Sequence, residues 1–80
     1  MIVNDLIKKK DYDYISWRLE PPKDWFEEDI LAGACKSKNG KLISIDGDSY
    51  SENEVVVRYE EWSDDTFKNG LTVVVKTEWK

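Results

Sequence analysis

The dipeptide Asn39-Gly40 places the strongest single constraint on the fold of this chain. It lies between two strand-like segments, 30–37 and 42–45, and Asn-Gly is preferred in two-residue type I′ turns because both positions need positive φ. The sequence therefore predicts an antiparallel hairpin here. Gly33, inside the first of these strands, indicates a bulge or the close approach of another chain or a bulky aromatic side chain.

Alternation of apolar and polar residues predicts three further strands, at 12–19, 55–62 and 71–79. In the second of these, Val55, Val57 and Tyr59 are expected on one face. Residues 23–28, which follow two prolines, are predicted as a loop or a single helical turn.

A short helix is predicted before the first strand. Asn4 is its candidate N-cap, Asp5 suits its first turn, and three lysines follow at its C-terminal end. A helix this short is not stable alone, so we expect it to pack its apolar side on the sheet.

These elements predict one domain over residues 1–80 of the α+β class. A short N-terminal helix packs on a five-stranded antiparallel sheet, which is either open or curved into an SH3-like barrel. Antiparallel order is expected because the connections are too short for parallel crossovers. The chain has one cysteine and no histidine, so four tryptophans, four tyrosines and two phenylalanines are expected to supply much of the core, Trp17 and Trp79 among them.

The single cysteine, Cys35, is typical of a reduced intracellular setting. No segment resembles a signal peptide or is long enough to span a bilayer, so we expect a cytoplasmic protein that does not enter a membrane. Cys35 itself is expected to be a buried small hydrophobe. If it were exposed, the nearby Lys36 and Lys38 would lower its pKa and make it reactive.

The composition argues against catalysis. Without histidine, Ser–His and Cys–His pairs cannot form, and no pair of carboxylates stands out for acid–base chemistry. The segment beginning at Asp46 invites comparison with an EF-hand. That loop needs an oxygen ligand, a glycine and a glutamate where this chain has Tyr50, Ser51 and Val57. We therefore predict no enzymatic activity, no cofactor and no metal, and read residues 46–48 as a tight turn.

Negative charge is concentrated in residues 46–65, which hold eight acids and one base and carry a net charge of −7. The remaining residues hold nine acids and eleven bases, so no clustered basic surface is available and direct nucleic-acid binding is not expected. We call the eight acids the acidic block: Asp46, Asp48, Glu52, Glu54, Glu60, Glu61, Asp64 and Asp65.

The acidic block has an ordinary and a functional explanation. The ordinary one is a solvated face that keeps the protein soluble. The functional one is electrostatic docking on a basic surface, such as the groove of a nucleic-acid-handling protein, where carboxylates take the place of phosphates. Trp62 lies among these acids and is the candidate anchor, since binding hot spots are enriched in tryptophan.

Three stretches, 41–51, 57–62 and 70–74, resemble small proteins of prophages and other mobile elements in Gram-positive bacteria. The resemblance covers most of the chain, including the Asp-Tyr-Asp-Tyr sequence at 11–14. It implies a phage-encoded accessory protein that inhibits or modulates host machinery, a group that includes anti-CRISPR proteins. No functional residue is carried over from it.

Two function hypotheses follow. In the first, a non-enzymatic monomer or homodimer docks its acidic block and Trp62 on a host protein and inhibits or modulates it. In the alternative, the chain is a structural or assembly module that self-associates, or joins a larger complex, through an exposed strand edge. Salt is expected to separate them, because electrostatic docking weakens as ionic strength rises.

Overall fold

The computed structural model describes residues 1–21 and 29–76. Its elements are α1 (Val3–Ile7), β1 (Tyr12–Leu19), β2 (Ile30–Lys38), β3 (Lys41–Ser44), β4 (Val56–Trp62) and β5 (Gly70–Val75). The predicted hairpin is confirmed, because β2 and β3 pair antiparallel and Asn39 and Gly40 have φ values of 55° and 75°. The predicted loop at 23–28 and the last predicted strand beyond Lys76 extend outside the described residues.

Helix α1 is present, although its N-cap is Ile2 and not Asn4. Asp5 acts in the first turn as predicted, because its Oδ2 accepts a hydrogen bond from the Ile2 backbone N–H at 2.9 Å. This bond is the first cause of a lowered pKa at Asp5. The helix buries three of its five residues, Val3, Leu6 and Ile7, which confirms that it packs against the rest of the protein.

The five strands form one mixed sheet in the order β3-β2-β1-β5-β4. Three of the neighbouring pairs are antiparallel, but β1 and β5 run parallel, from the Tyr14–Gly70 pair to the Leu19–Val75 pair. The prediction of a purely antiparallel sheet is therefore wrong. Among the described residues β3 and β4 are not paired with each other, so they form the two edges of an open sheet and the ladder does not close into an SH3-like barrel.

The parallel pair exists because residues 45–55 carry the chain from one edge of the sheet to the other. Four strand spacings of about 4.8 Å make about 19 Å, which eleven extended residues span with ease. Short connections impose antiparallel order only on strands that are neighbours in sequence. Strands β1 and β5 are not such neighbours, because the chain brings them together only after this crossing.

The crossing segment, residues 45–55, and α1 cover the same part of the molecule. The backbone N–H groups of Val3 and Asn4 donate hydrogen bonds of 3.0 and 2.8 Å to the carbonyls of Glu54 and Glu52. The core cluster lies between α1 and the sheet and includes side chains of both. It consists of Val3, Leu6, Ile7, Tyr12, Ile15, Trp17, Cys35, Val56, Leu71, Val73 and Val75. Each large apolar side chain in it contributes about 1.5–3 kcal/mol through burial. The placement of Trp17 in the core confirms the prediction for that residue, and Trp79 lies outside the residues that the structure describes.

Gly33 permits the closest packing on this face. The space that a Cβ would occupy is filled by the hydroxyl of Tyr50 and the carboxylate of Asp46. The ring of Tyr50 also lies 5.0 Å from that of Trp17, measured between centroids. The predicted close approach of a bulky aromatic side chain is thus confirmed, and the aromatic is Tyr50 from the crossing segment. The predicted bulge is present as well, because the register shifts between the Trp17–Gly33 and Arg18–Leu31 pairs and leaves Ala32 as the extra residue.

We expect the substitution Gly33→Ala to lower the free energy of unfolding by about 1–3 kcal/mol, because the new methyl group overpacks the contact with Tyr50. Urea unfolding followed by tryptophan fluorescence measures this cost. In a Tyr50→Ala background the same substitution should cost less, since the ring is gone. An equal cost in both backgrounds would mean that the Tyr50 contact is not its source.

Candidate protein-binding site

The fold divides the acidic block into three groups. Asp46 and Asp48 follow β3 and lie beside β2, while Glu52 and Glu54 lie at the start of α1. The other four acids belong to β4 and the loop after it: Glu60, Glu61, Asp64 and Asp65. Strands β2 and β4 are separated by β1 and β5, which places them about 14 Å apart. The acidic block is therefore not one surface, and the largest contiguous group is the one on β4.

We call that group, with Trp62, the acidic edge: Glu60, Glu61, Trp62, Asp64 and Asp65. Among the described strands β4 pairs with β5 alone, and residues 1–3 pair with its start, through the Ile2–Val55 bridge and a 2.9 Å hydrogen bond from the Val56 N–H to the Met1 carbonyl. The members of the acidic edge do not share one orientation, since Glu60 pairs with Thr72 and Glu61 with Leu71, so the two side chains point to opposite faces of the sheet.

Asp46 holds the turn after β3 together. Its carboxylate accepts hydrogen bonds from the backbone N–H of Ala34 at 2.9 Å and of Asp48 at 3.0 Å, from Ser44 Oγ at 3.2 Å, and from the hydroxyl of Tyr50. These bonds, the one from Tyr50 first, lower the pKa of Asp46 to about 2. The predicted tight turn is confirmed. Both carboxylate oxygens of Asp46 are occupied by hydrogen bonds from within the chain.

Glu61 also makes bonds within the chain. Its Oε1 accepts a hydrogen bond of 2.5 Å from the hydroxyl of Tyr12 and lies 3.4 Å from Lys10 Nζ. The bond from Tyr12 is the first cause of a lowered pKa at Glu61. In turn, the pKa of Tyr12 is raised, first by burial and then by its bond to this carboxylate. Glu61 therefore ties the edge strand to the core.

Asp64 closes the loop between β4 and β5. Its Oδ1 accepts hydrogen bonds from the backbone N–H groups of Thr66 at 2.8 Å and Phe67 at 2.6 Å. Its own N–H donates to the carbonyl of Phe67 at 2.9 Å. This arrangement fixes the loop next to Trp62 and brings the ring of Phe67 over the sheet.

Trp62 is half-buried in an aromatic cluster and is not an isolated exposed side chain. Its ring occupies the space above Gly70, and its Nε1–H donates to Thr72 Oγ1 at 3.1 Å. Ring centroids of Tyr14 and Phe67 lie 6.0 and 6.5 Å away. The indole is thus held in one orientation with part of its surface accessible, and its role as an anchor stays a prediction.

Two acids of the acidic edge remain available for a partner. Glu60 and Asp65 are exposed, and their carboxylates make no hydrogen bond or ion pair with residues 1–21 or 29–76. The same is true of Asp48 and Glu54 elsewhere in the acidic block, and Glu52 is half-buried but likewise makes no such bond with the described residues. A partner cation can meet these groups without first breaking a bond within the chain.

Exposed apolar side chains lie along the same strand edge. Val57 and Tyr59 are 40% and 45% exposed, and Val55, just before β4, is 48% exposed. The predicted grouping of these three on one face is wrong. A bulge between Val56 and Arg58 inserts Val57, so that Val56 and Tyr59 lie opposite Val75 and Val73 on the core face. Sequence periodicity gave no sign that this strand is an edge.

Cys35 is fully buried on β2, as predicted. Burial, and secondarily the charge of Asp46, raises the pKa of its thiol to about 12. The neighbouring Lys36 is exposed and, one residue along the strand, points to the other face of the sheet. The environment of Cys35 is therefore the opposite of one that activates a thiol.

Comparison of the chain with family models, with curated proteins and with solved structures found no match. The resemblance to prophage proteins therefore stays a prediction. Within the described residues no helix has the length and apolar character needed to cross a membrane. The described acids and Cys35 also form no group of three or more that could hold a metal ion.

The bonds to Asp46 predict a specific acid response. Because the pKa of Asp46 is about 2 in the folded protein and 3.8 ordinarily, its bonds stabilise the fold above about pH 4. That stabilisation is lost as the pH falls from about 4 through about 2. Urea unfolding at several pH values should show a shallower loss of stability in this window for Asp46→Ala than for wild type. Asp48→Ala removes a carboxylate that makes no bond with the described residues, so this variant should keep the wild-type slope. Equal slopes for the two variants would contradict this role of Asp46.

The buried thiol predicts low reactivity. At pH 8 we expect an aromatic disulfide reagent to modify Cys35 at least about a hundredfold more slowly in the native protein than in concentrated urea. The absorbance of the released thiolate measures both rates. The doubly substituted protein Cys35→Ala/Ser51→Cys, with its thiol on an exposed position, should react rapidly in both conditions. Rapid modification of native wild type would show that Cys35 is accessible.

Proposed function

We propose that this protein is a non-enzymatic binding protein that docks its acidic edge on a basic surface of a host protein and thereby inhibits or modulates it. One observation carries the proposal. Glu60 and a fixed, partly accessible Trp62 project from the same face of β4, with Asp65 in the loop that follows, and neither carboxylate is bonded within the described residues. Val57 and Tyr59 are exposed on the same edge strand, Tyr59 on its other face.

This combination has the anatomy of a protein interface. Interfaces have an aromatic and apolar centre with a polar rim, and their hot spots are enriched in tryptophan and tyrosine. The cluster around Trp62 holds the indole before binding, so little side-chain freedom is lost when a partner covers it. The carboxylates at the rim steer a basic partner toward this surface and suppress acidic ones.

The partner that fits is a protein with clustered lysines and arginines, such as the nucleic-acid groove of a host enzyme. Direct binding of nucleic acid does not fit, because a phosphate backbone would meet the carboxylates of the acidic edge. A phage or mobile-element origin, as the resemblance implies, and a cytoplasmic site of action complete the proposal. The support for it is electrostatic and geometric.

Charge reversal at the acidic edge tests the proposal. Immobilised wild type should capture a host protein that the variant Glu60→Lys/Asp65→Lys does not capture. The control variant Glu52→Lys/Glu54→Lys changes the net charge equally, at two acids that precede β4 at the end of the strand opposite to the acidic edge, and should capture as wild type does. Mass spectrometry identifies the proteins that differ between the two variants. Glu61 and Asp64 are left unchanged because their bonds hold the fold.

The identified partner then allows a quantitative measurement. With purified proteins, the association rate constant should fall by about tenfold or more between low and physiological ionic strength, because the attraction is screened. Capture that survives reversal of Glu60 and Asp65, or an association rate that does not change with salt, would disprove docking through the acidic edge.

A further inference from the structure

The two edges of the sheet carry opposite charge. Residues 30–45, which form β2 and β3, contain three lysines and no acid. The lysines are Lys36, Lys38 and Lys41, and all three are exposed. The acidic edge lies on β4, four strand spacings or about 19 Å from β3. The strands are therefore basic at β2 and β3 and acidic at β4, and the fold places these segments at opposite edges of the sheet. Asp46 and Asp48 follow β3 directly, and the carboxylate of Asp46 is bonded within its turn.

The opposite charges share one face of the sheet. Lys36 pairs with Ile43 and Lys38 with Lys41, so these four side chains point the same way. Ala34 is two residues before Lys36, so its side chain is on the same face as Lys36. Ala34 pairs with Ser16 on β1, Ser16 pairs with Thr72 on β5, and Thr72 pairs with Glu60 on β4. Glu60 and the lysines thus project from the same face, the one opposite the buried Cys35.

Strand direction is also compatible with joining the two edges. Because β3 runs antiparallel to β2, and β2 to β1, β3 has the direction of β1. Strand β4 is antiparallel to β5, which is parallel to β1, so β4 runs the other way. A second copy placed beside the first without rotation would set its β3 against β4 as an antiparallel pair, the better-bonded arrangement.

Each edge also carries exposed apolar side chains. Ile43 on β3 is 40% exposed, as is Val57 on β4, and Tyr59 is 45% exposed. Unpaired backbone groups next to such side chains are the usual site of strand addition. Pairing of like edges is disfavoured, because β3 against β3 opposes lysines and β4 against β4 opposes carboxylates. Arg58, the base on β4, is already paired with Asp29.

We propose that copies of this chain associate edge to edge, with β3 of one copy on β4 of the next, and so continue the mixed sheet from molecule to molecule. The occupant of the β4 edge is then a second copy, selected by the complementary charge of Lys41 and its neighbours. The contact is heterologous, so it propagates in an open row and does not close as a dimer. Only four residues of β3 take part, which keeps the association weak and reversible.

The sign of the salt effect separates this association from a general one. The net charge of −5 makes copies repel each other as a whole, so added salt would strengthen a non-specific association. Complementary edges attract locally, and salt weakens that attraction. We expect association of the purified protein to decrease as salt is added. Because the edges are charged, salt does not separate this association from docking on a basic host protein, and the purified chain without any partner is used to tell them apart.

Analytical ultracentrifugation of the purified chain, over concentrations up to about 1 mM, measures the association directly. Two edge variants are compared with wild type, a basic-edge variant Lys38→Glu/Lys41→Glu and an acidic-edge variant Glu60→Lys/Asp65→Lys. Each should associate at least about tenfold more weakly than wild type, because its two edges now carry the same sign. An equimolar mixture of the two variants should recover association, since every edge again finds an opposite one.

The acidic-edge variant gives the sharpest comparison. Its two substitutions raise the net charge by four units from −5 to −1, which reduces general repulsion, yet its association should weaken. The control Glu52→Lys/Glu54→Lys has the same net charge with both edges intact, and should associate at least as well as wild type. A wild type that stays monomeric throughout, or a mixture of edge variants that fails to recover association, would overturn the proposal. Neither outcome bears on capture of a host protein, which is measured separately.

Discussion

The packing of Tyr50 on Gly33 and Trp17 holds the crossing segment against the sheet, and the rest of the architecture depends on that crossing. Asp46 fixes its start through the hydrogen bond from Tyr50, and Glu52 and Glu54 accept the first hydrogen bonds of α1 near its end. Because the chain passes over the sheet at this point, β5 returns beside β1 and runs parallel to it. The crossing therefore determines which two strands are left as edges, and with them the surfaces that a partner can reach.

Charged side chains in this small domain divide between stabilising the fold and facing solvent. Asp46, Glu61 and Asp64 accept hydrogen bonds from backbone or tyrosine donors and lie where the chain turns or where an edge strand meets the core. Glu60 and Asp65 are exposed and have no such bonds within the described residues. A cluster of acids in sequence is thus not evidence of one acidic surface, and within the acidic edge these two carboxylates are the ones that a partner could meet directly.

Local signals predicted the local structure well. Asn39-Gly40 marked the hairpin, Gly33 marked a close aromatic contact, and the alternation at 12–19 gave both ends of β1. The parallel pairing of β1 and β5 was not predictable in this way, because it depends on residues far apart in sequence. The bulge at Val57 was missed as well, since one inserted residue reverses the faces of the strand without changing its composition. The site was therefore predicted as a set of acids, whereas its division and the exposure of Tyr59 followed only from the fold.

An edge strand is a hazard that proteins usually limit with charge, bulges or short length, and this sheet uses all three. Strand β3 has four residues and adjoins lysines, and β4 has a bulge and carboxylates. Charge of one sign at an edge repels a like edge but attracts an unlike one. Under the two proposals above, the carboxylates that disfavour pairing of β4 with another β4 would attract either the lysines of a host protein or those of β3 in a second copy. Because both occupants need the same strand edge, binding of a host protein would end a growing row of copies. The net charge of −5 on each copy would favour binding of a basic partner at this edge over binding of another acidic chain.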